Sequence, residues 1–191
     1  MTDGSTQRPL RADAQRNREK ILAAAVRVYT EEGLDARLEH IAKAAGVGSA
    51  TLYRNFPTRE ALVEAVYRNE VAQLCAAVPG LLAARPPYEA LHAWTRLFLD
   101  YVAAKSGMAD VLRAVTAAGN NPHGDSRDMI RRALAELMDA CAAVGAIRTD
   151  ISPADMGAAL EGIAVTSARP DQRERAERLL DLTLDGLTVR P

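Results

Sequence analysis

The chain has few of the side chains that covalent cross-links and metal sites require. Its 191 residues include only 2 cysteines and 3 histidines. Cys75 and Cys141 stand far apart within helical apolar patterns, which favours buried free thiols in a reducing compartment over a disulfide. His40, His92 and His123 share no metal-ligand spacing with each other or with either cysteine. We therefore expect no metal site and no cofactor.

Long apolar runs and glycine-rich phosphate motifs are also missing. No stretch approaches the ~20 apolar residues of a membrane-spanning helix, and the leader lacks the hydrophobic segment of a secretory signal. These absences predict a cytoplasmic protein with no membrane partner. The glycine motifs of dinucleotide-binding sites and of nucleophile elbows are absent too. The glycines fall mostly at predicted helix ends instead. We therefore predict that the protein is not an enzyme.

Helical periodicity is what the chain does contain. Apolar residues recur at spacings of three and four, with no strand alternation and no repeat of fixed period. With 48% hydrophobic residues, the chain can bury one sizeable core, or a small and a larger domain that share a helix. The pattern predicts an all-α protein of about nine helices.

Residues 38–56, LEHIAKAAGVGSATLYRNF, have the pattern of two short helices that meet at a glycine turn. Ile41 and Ala42 fall on one face of the first helix, and Gly46 can take the positive φ of a C-terminal stop. Ala42 leaves room for the second helix to cross, and Leu52 fills the gap. The pattern predicts a DNA-reading helix-turn-helix, with an ordinary helical hairpin in a core as the alternative.

The outward face of the second helix predicts contacts with DNA. It carries small or hydrogen-bonding side chains that suit base edges and phosphates in a major groove: Ser49, Ala50, Thr51, Tyr53, Arg54 and Asn55. Pro57 then breaks the chain, and Thr58 is a candidate N-cap for a long helix that starts at Arg59. A supporting amphipathic helix over residues 18–32 precedes the motif.

In this order, residues 16–67 resemble the DNA-binding domain of the TetR family of transcriptional regulators, above all in the run TLYRNFPTREAL. The resemblance implies that Thr51, Tyr53 and Asn55 contact bases or phosphates. It also implies that Arg59 holds the DNA backbone.

The chain departs from the family pattern at two places. Gly48 stands where many relatives cap the recognition helix with serine, and Ser49 could supply the missing hydroxyl. Arg37 stands in a pair that is often Thr-Thr in relatives, and its guanidinium could replace the lost hydroxyl contact with a charge-assisted one. The bases that are read therefore do not follow from the resemblance.

The sequence pattern predicts a disordered leader at 1–15 and a helix-turn-helix domain at 16–60, and the resemblance implies a ligand-binding and dimerisation domain at 61–191. Residues 8–68 carry 11 Lys and Arg against 8 Asp and Glu, whereas residues 69–191 carry 13 against 16. A basic end suits a protein that binds a polyanion with that end alone. Arginines of the leader could reach a minor groove, or the leader is a solvated tail.

The last two helices have more apolar surface than one core needs. The first of them has a clear start, with Ser152 as N-cap and Asp155 three residues later. Small or apolar residues on a second face of both helices are candidates for a dimer interface: Ala158, Gly162, Val165, Leu182 and Val189. In TetR-like proteins these helices pair with their copies in a homodimer, and this half resembles the SbtR-like ligand domain. The alternative is a central helix packed on both sides within one subunit.

Aromatic, methionine and leucine side chains concentrate between the fifth and seventh helices, where the family has its ligand cavity. The candidate pocket residues are Trp94, Phe98, Tyr101, Met108, Leu112, Met129 and Met138. Ordinary core packing is the alternative for each of them.

The resemblance implies a homodimeric DNA-binding transcriptional regulator, with repression as the family's common outcome. Its partners would be double-stranded operator DNA, arranged as an inverted repeat, and a small-molecule effector that releases the protein. The alternative is a small helical enzyme or a ligand-sequestering protein that does not bind DNA.

Overall fold

The computed structural model describes residues 7–33, 35–108, 111–113, 122–166 and 172–189. These ranges contain eight named helices, which are α1 (Gln7–Glu32), α2 (Leu38–Ala44), α3 (Ser49–Asn55), α4 (Arg59–Ala84), α5 (Pro87–Gly107), α6 (Pro122–Ala143), α7 (Pro153–Thr166) and α8 (Arg173–Leu187). Residues 111–113 are also helical. Within these ranges the only β interaction is an isolated antiparallel bridge between Ile147 and Thr188. The predicted all-α fold is confirmed.

Helix α1 begins earlier than the sequence pattern predicted. Residues 7–15 are helical, although we expected them in a disordered leader. Pro9 is tolerated because N–H groups in a first helical turn have no intrahelical partner. Pairs one turn apart support the segment, because the Gln15 amide donates to Glu19 at 2.8 Å and Arg16 pairs with Asp13. Residues 1–6, and all side chains before position 13, lie outside the described part, so the side chains of Arg8 and Arg11, the leader arginines predicted to reach a minor groove, do too.

The turn between α2 and α3 has the predicted glycine geometry. Gly46 has a φ of +67°, in the left-handed region where a β-carbon would be strained. The Gly46 N–H donates to the Lys43 carbonyl at 3.1 Å, and the Val47 N–H donates to the Ala42 carbonyl at 3.0 Å. These bonds occupy carbonyl groups that the helix end would leave without partners. The turn therefore ends α2 sharply, and α3 begins two residues after Val47.

The apolar faces predicted for the first helices are buried. Leu38 and Ile41 of α2, Leu52 of α3 and Phe56 after it are all inaccessible or nearly so. On α1, Ile21 and its neighbours one turn further along are buried in the same way. Burial of each large apolar side chain stabilises the fold by about 1.5–3 kcal/mol, which is how a short three-helix motif is held in place.

Helix α4 starts as predicted, because the Thr58 hydroxyl accepts a hydrogen bond from the Ala61 N–H at 3.1 Å. It then runs for 26 residues. Its buried residues include Leu62 and Val66 near the start and Leu74 and Val78 further along.

The polar run GNNPHGDS at residues 119–126 predicts a link between helices, but α6 already begins at Pro122, so that prediction is wrong for residues 122–126. Two local features explain the longer helix. Proline suits the first turn, where its missing N–H costs nothing, and Asp125 places a negative charge near the positive end of the helix dipole.

The predicted start of α7 is confirmed as a reciprocal capping box. The Ser152 N–H donates to an Asp155 carboxylate oxygen at 3.0 Å, and the Asp155 N–H donates to the Ser152 hydroxyl at 3.2 Å. At the end of α8, the Arg148 N–H donates to the Leu187 carbonyl at 2.8 Å. This bond attaches the segment before α7 to the end of the final helix.

The chain divides into two compact units. The first comprises Met1–Asn69 and Gly107–Asn120, and the second comprises Glu70–Ser106 and Asn121–Pro191. Helix α4 begins in the first unit and ends in the second.

Candidate DNA-binding site

All nine candidate DNA-binding residues belong to the first unit, at the start of α2, along α3 and at the start of α4. Six of them are exposed, which are Arg37, Gly48, Ser49, Ala50, Tyr53 and Arg54. The other three, Thr51, Asn55 and Arg59, are half-buried. Leu52 alone among the residues of α3 is buried, so the helix rests on one side chain and leaves most of its surface outward.

Two of the polar side chains on α3 are engaged within the helix itself. The Asn55 amide nitrogen donates to the Thr51 carbonyl at 2.8 Å, and an Arg54 guanidinium nitrogen lies 3.3 Å from the Thr51 hydroxyl. The Asn55 contact leaves the amide oxygen as its acceptor toward a partner. The Arg54 contact is long, and an exposed guanidinium can exchange it for a phosphate at little cost.

Tyr53 makes a contact that the sequence did not reveal. Its hydroxyl donates to a carboxylate oxygen of Glu39 on α2 at 2.7 Å, across the turn of the motif. The bond lowers the pKa of Glu39 and raises the pKa of Tyr53, because it favours the charged carboxylate and the protonated phenol. No spacing rule joins residues 14 apart in two helices, so only the three-dimensional turn brings them together.

The N-terminus of α3 has no side-chain cap. Gly48 occupies the cap position in an extended conformation, and no side-chain hydrogen bond closes the helix there. Helix N–H groups without a side-chain cap can point at an anion, which is a common way to bind a phosphate. The departure at Gly48 therefore leaves this helix end without a side-chain cap, and the contact of the Ser49 hydroxyl with phosphate stays a prediction.

Near the start of α4 lies a buried hydroxyl that has no hydrogen-bond partner among the residues that the structure describes. Tyr29 of α1 is only 4% exposed, and its hydroxyl makes no hydrogen bond among the described residues. Burial raises its pKa, with a smaller opposing effect from the positive charge of Arg59 and a small further rise from Glu60. An unsatisfied buried hydroxyl of this kind costs stability.

A surface groove of about 570 Å³ lies on the first unit between α1 and α4. One of its lining side chains, Arg18, also places its guanidinium carbon 4.6 Å from the ring centroid of Phe56. Such a cation–π contact fixes the arginine against the residue that ends the recognition helix. The other lining residues are Gln15, Glu19, Leu22, Ala61, Glu64, Ala65, Arg68 and Asn69.

The candidate ligand-pocket residues fall into two groups. Trp94, Phe98 and Tyr101 form an aromatic ladder along α5, with ring centroids 6.1 Å apart and then 5.9 Å apart. Met138 on α6 is buried and Met129 is half-buried, and both belong to the second unit. Met108 and Leu112 are buried but belong to the first unit.

The candidate interface residues are all exposed. Val165 is 80% exposed, Leu182 is 69% exposed and Val189 is 55% exposed, which is uncommon for aliphatic side chains. Ala158 and Gly162, on the same helix as Val165, are exposed too, and a β-carbon added at Gly162 would meet nothing within 4 Å. The opposite face of α7 is buried through Met156, Leu160, Ile163 and Ala164.

Three further expectations concern metals, thiols and membranes. Within the described ranges, no cluster of three or more His, Cys, Asp or Glu residues could hold a metal ion. Cys75 is half-buried and Cys141 is buried, both are free thiols, and burial raises the pKa of Cys141 to about 11. Of the helices that the structure describes, none combines the length and apolarity that a bilayer crossing requires.

The helix-turn-helix and the helical second unit match two known sequence families. Residues 86–189 match the family described as transcriptional regulator SbtR-like, C-terminal domain, and residues 21–66 match bacterial regulatory proteins, tetR family. The chain belongs to the TetR family of transcriptional regulators. The resemblance inferred from TLYRNFPTREAL, and the looser one for the C-terminal half, are both confirmed.

Solved and curated relatives agree with this assignment. The TetR transcriptional regulator SCO0520 from Streptomyces coelicolor is 70% identical, with a TM-score of 0.85 over 91% of this chain and 99% of that one. The TetR transcription regulatory protein from Mycobacterium vanbaalenii is 34% identical, with a TM-score of 0.76 over 95% of this chain and all of that one. The HTH-type transcriptional regulator UidR from Escherichia coli K12 is 30% identical over 94 residues, 49% of this chain. The chain spans 42% of the length of that curated relative.

Proposed function

We propose that this regulator binds double-stranded operator DNA through α3 and represses transcription until a small molecule releases it. The observation that carries the proposal is the outward surface of α3, which rests on Leu52 alone and exposes Ser49, Tyr53 and Arg54. Exposed hydroxyl and guanidinium groups on a short helix fit the floor and walls of a major groove. Because the protein must reach chromosomal DNA, we expect it to act in the cytoplasm.

The exposed apolar side chains of α7 and α8 support a homodimer. Val165 and Leu182 would bury their surface against the same residues of a second copy, as a two-fold interface requires. Small residues such as Gly162 would let the helices approach closely. A two-fold dimer presents two copies of α3, so the operator should be an inverted repeat with half-sites about one helical turn, ~34–36 Å, apart or at a related spacing.

The aromatic ladder of Trp94, Phe98 and Tyr101 supports a cavity for an effector in the second unit. Aromatic side chains with one polar hydroxyl suit an apolar ligand that carries a single hydrogen-bonding group. Because α4 begins at Arg59 and continues into the second unit, a ligand that prefers one position of α4 would change DNA affinity. Contact of Met108 and Leu112 with a ligand stays a prediction from the sequence.

The proposal is tested by selecting bound duplexes from a random pool with the full-length protein. We expect enrichment of one inverted repeat. A library of apolar and amphipathic small molecules is then screened for release of that duplex. A pool that shows no enrichment over the library without protein would contradict DNA reading. Enrichment with no releasing compound in a broad library would remove the effector part alone.

A further inference from the structure

The hydrogen bond between Tyr53 and Glu39 has a fixed direction. A phenol has one proton to donate and a carboxylate has none, so the 2.7 Å contact places the hydroxyl proton on the side of Glu39. Both residues are exposed, Tyr53 at 42%, so the contact lies at the surface of the helix-turn-helix. The remaining hydrogen-bonding capacity of the pair consists of lone pairs on oxygen.

Because the Tyr53–Glu39 pair can only accept further hydrogen bonds, it can bond only to hydrogen-bond donors on DNA. Phosphate oxygens are acceptors, and so are the major-groove edges of guanine and the carbonyl of thymine, which offer no proton to the pair. The donors in the major groove are the exocyclic amino groups of adenine and cytosine. A carboxylate accepts well from the cytosine amino group, and a phenol oxygen can accept beside it.

Two neighbouring arginines make the Glu39 carboxylate compatible with a DNA-binding surface. The positive charges of Arg37 and Arg59 both act on the Glu39 carboxylate, and Arg59 also acts on Tyr53. They offset the repulsion that an isolated carboxylate would feel near phosphates. The acid can therefore remain ionised while the surrounding arginines face the DNA backbone.

We propose that Glu39 is a specificity-determining residue that, with Tyr53, accepts a hydrogen bond from the exocyclic amino group of adenine or cytosine in the major groove. Glu39 acts partly through Tyr53, because it holds the hydroxyl proton away from the DNA. The inference rests on the proposed DNA-binding function and adds which chemical group of the base is read.

The test compares duplexes selected by four full-length proteins, which are wild type, Glu39→Ala, Glu39→Gln and Glu31→Ala. Wild type should prefer adenine or cytosine at one position of each half-site by about tenfold or more. Glu39→Ala frees the hydroxyl to donate, so the preference should disappear or shift to guanine or thymine. Glu39→Gln retains a carbonyl acceptor and should keep the preference. Glu31, exposed near the end of α1, controls for loss of one negative charge.

A second readout needs no DNA. The pKa of Tyr53, followed by NMR of its labelled ring carbon, should fall in Glu39→Ala because the acceptor that holds the phenol protonated is gone. An unchanged pKa of Tyr53, or an unchanged base preference in Glu39→Ala, would overturn the inference and leave DNA binding standing. A wild-type protein that enriches no duplex at all would overturn the proposed function and this inference together.

Discussion

The indole N–H of Trp94 donates a hydrogen bond to the backbone carbonyl of Leu74 at 2.9 Å. Trp94 is fully buried on α5, and Leu74 belongs to the part of α4 that lies in the second unit. The contact therefore attaches the aromatic ladder to the helix whose first residue is Arg59. A ligand that displaces the Trp94 ring would have to break this bond or move Leu74 with the ring, so we expect such a ligand to act through α4.

Two variants of Phe98 test whether the aromatic ladder contacts a ligand or only packs in the core. Phe98→Leu keeps most of the volume but removes the ring between Trp94 and Tyr101, so operator affinity should stay near wild type while the effector concentration for release shifts several-fold. Phe98→Ala should lower the free energy of unfolding by about 3–5 kcal/mol, because the side chain is only 5% exposed. Denaturant melts beside operator titrations measure both effects. An unshifted release by folded Phe98→Leu would remove Phe98 from the pocket.

Tyr29→Phe should raise the free energy of unfolding by about 1 kcal/mol, because it removes a buried hydroxyl that has no hydrogen-bond partner and keeps the packed ring. Tyr29→Leu, which also removes the ring packing, should lower it instead. Urea denaturation monitored by circular dichroism measures both variants. A clear loss of stability in Tyr29→Phe would show that the hydroxyl is satisfied in solution.

The sequence predicted those parts of the fold that local chemistry determines. Gly46, Thr58 and Ser152 end or begin helices as expected, because turn and cap residues act on their immediate neighbours. It failed at residues 7–15 and 122–126, where polar composition suggested loops. Both segments have a proline in the first turn of a helix, a position that proline favours. Their polar composition alone did not indicate that helix.

The candidate DNA-binding face was predicted more completely than its contacts. Helical spacing identified which side of α3 faces outward, because Leu52 is the one residue of that helix that must be buried. Spacing could not show that Tyr53 bonds to Glu39, since the pair depends on how two helices cross. For the same reason, spacing could not show that Met108 and Leu112 belong to the first unit and the aromatic ladder to the second, because the division into units follows contacts that are distant in sequence.

The capping box at α7 predicts a pH-dependent contribution to stability. Hydrogen bonds from Ser152 lower the pKa of Asp155, so its contribution is present above the ordinary aspartate pKa of about 3.9 and is lost as pH falls through the lowered value. Asp155→Asn should therefore be less stable than wild type at neutral pH, and the two should converge at low pH. Thermal melts over pH 2–7 follow this, with Asp139→Asn on the exposed side of α6 as control. A difference that persists undiminished at the lowest pH would contradict the assignment.

Gly162→Arg should convert the proposed homodimer to monomers. A long charged side chain at a close helix–helix contact would be buried without a partner, at a cost that the interface cannot offset. Helical content should survive, because Gly162 is exposed within one chain and nothing lies within 4 Å of an added β-carbon. Sedimentation velocity measures the assembly, and Ala103→Arg on the exposed side of α5 is the matched control. A dimer that persists for Gly162→Arg would place the interface elsewhere.

The central claim, that α3 and the start of α4 read DNA, is tested most directly by titrating a selected duplex and its scrambled counterpart across a salt series. Wild type should bind the selected duplex at least about a thousandfold more tightly at physiological salt, and both affinities should fall steeply as salt rises. Arg59→Ala should weaken both duplexes alike and reduce the salt slope by about one. Arg85→Ala, exposed in the second unit, should change neither. Equal affinity of wild type for the two duplexes at every salt concentration would contradict the account.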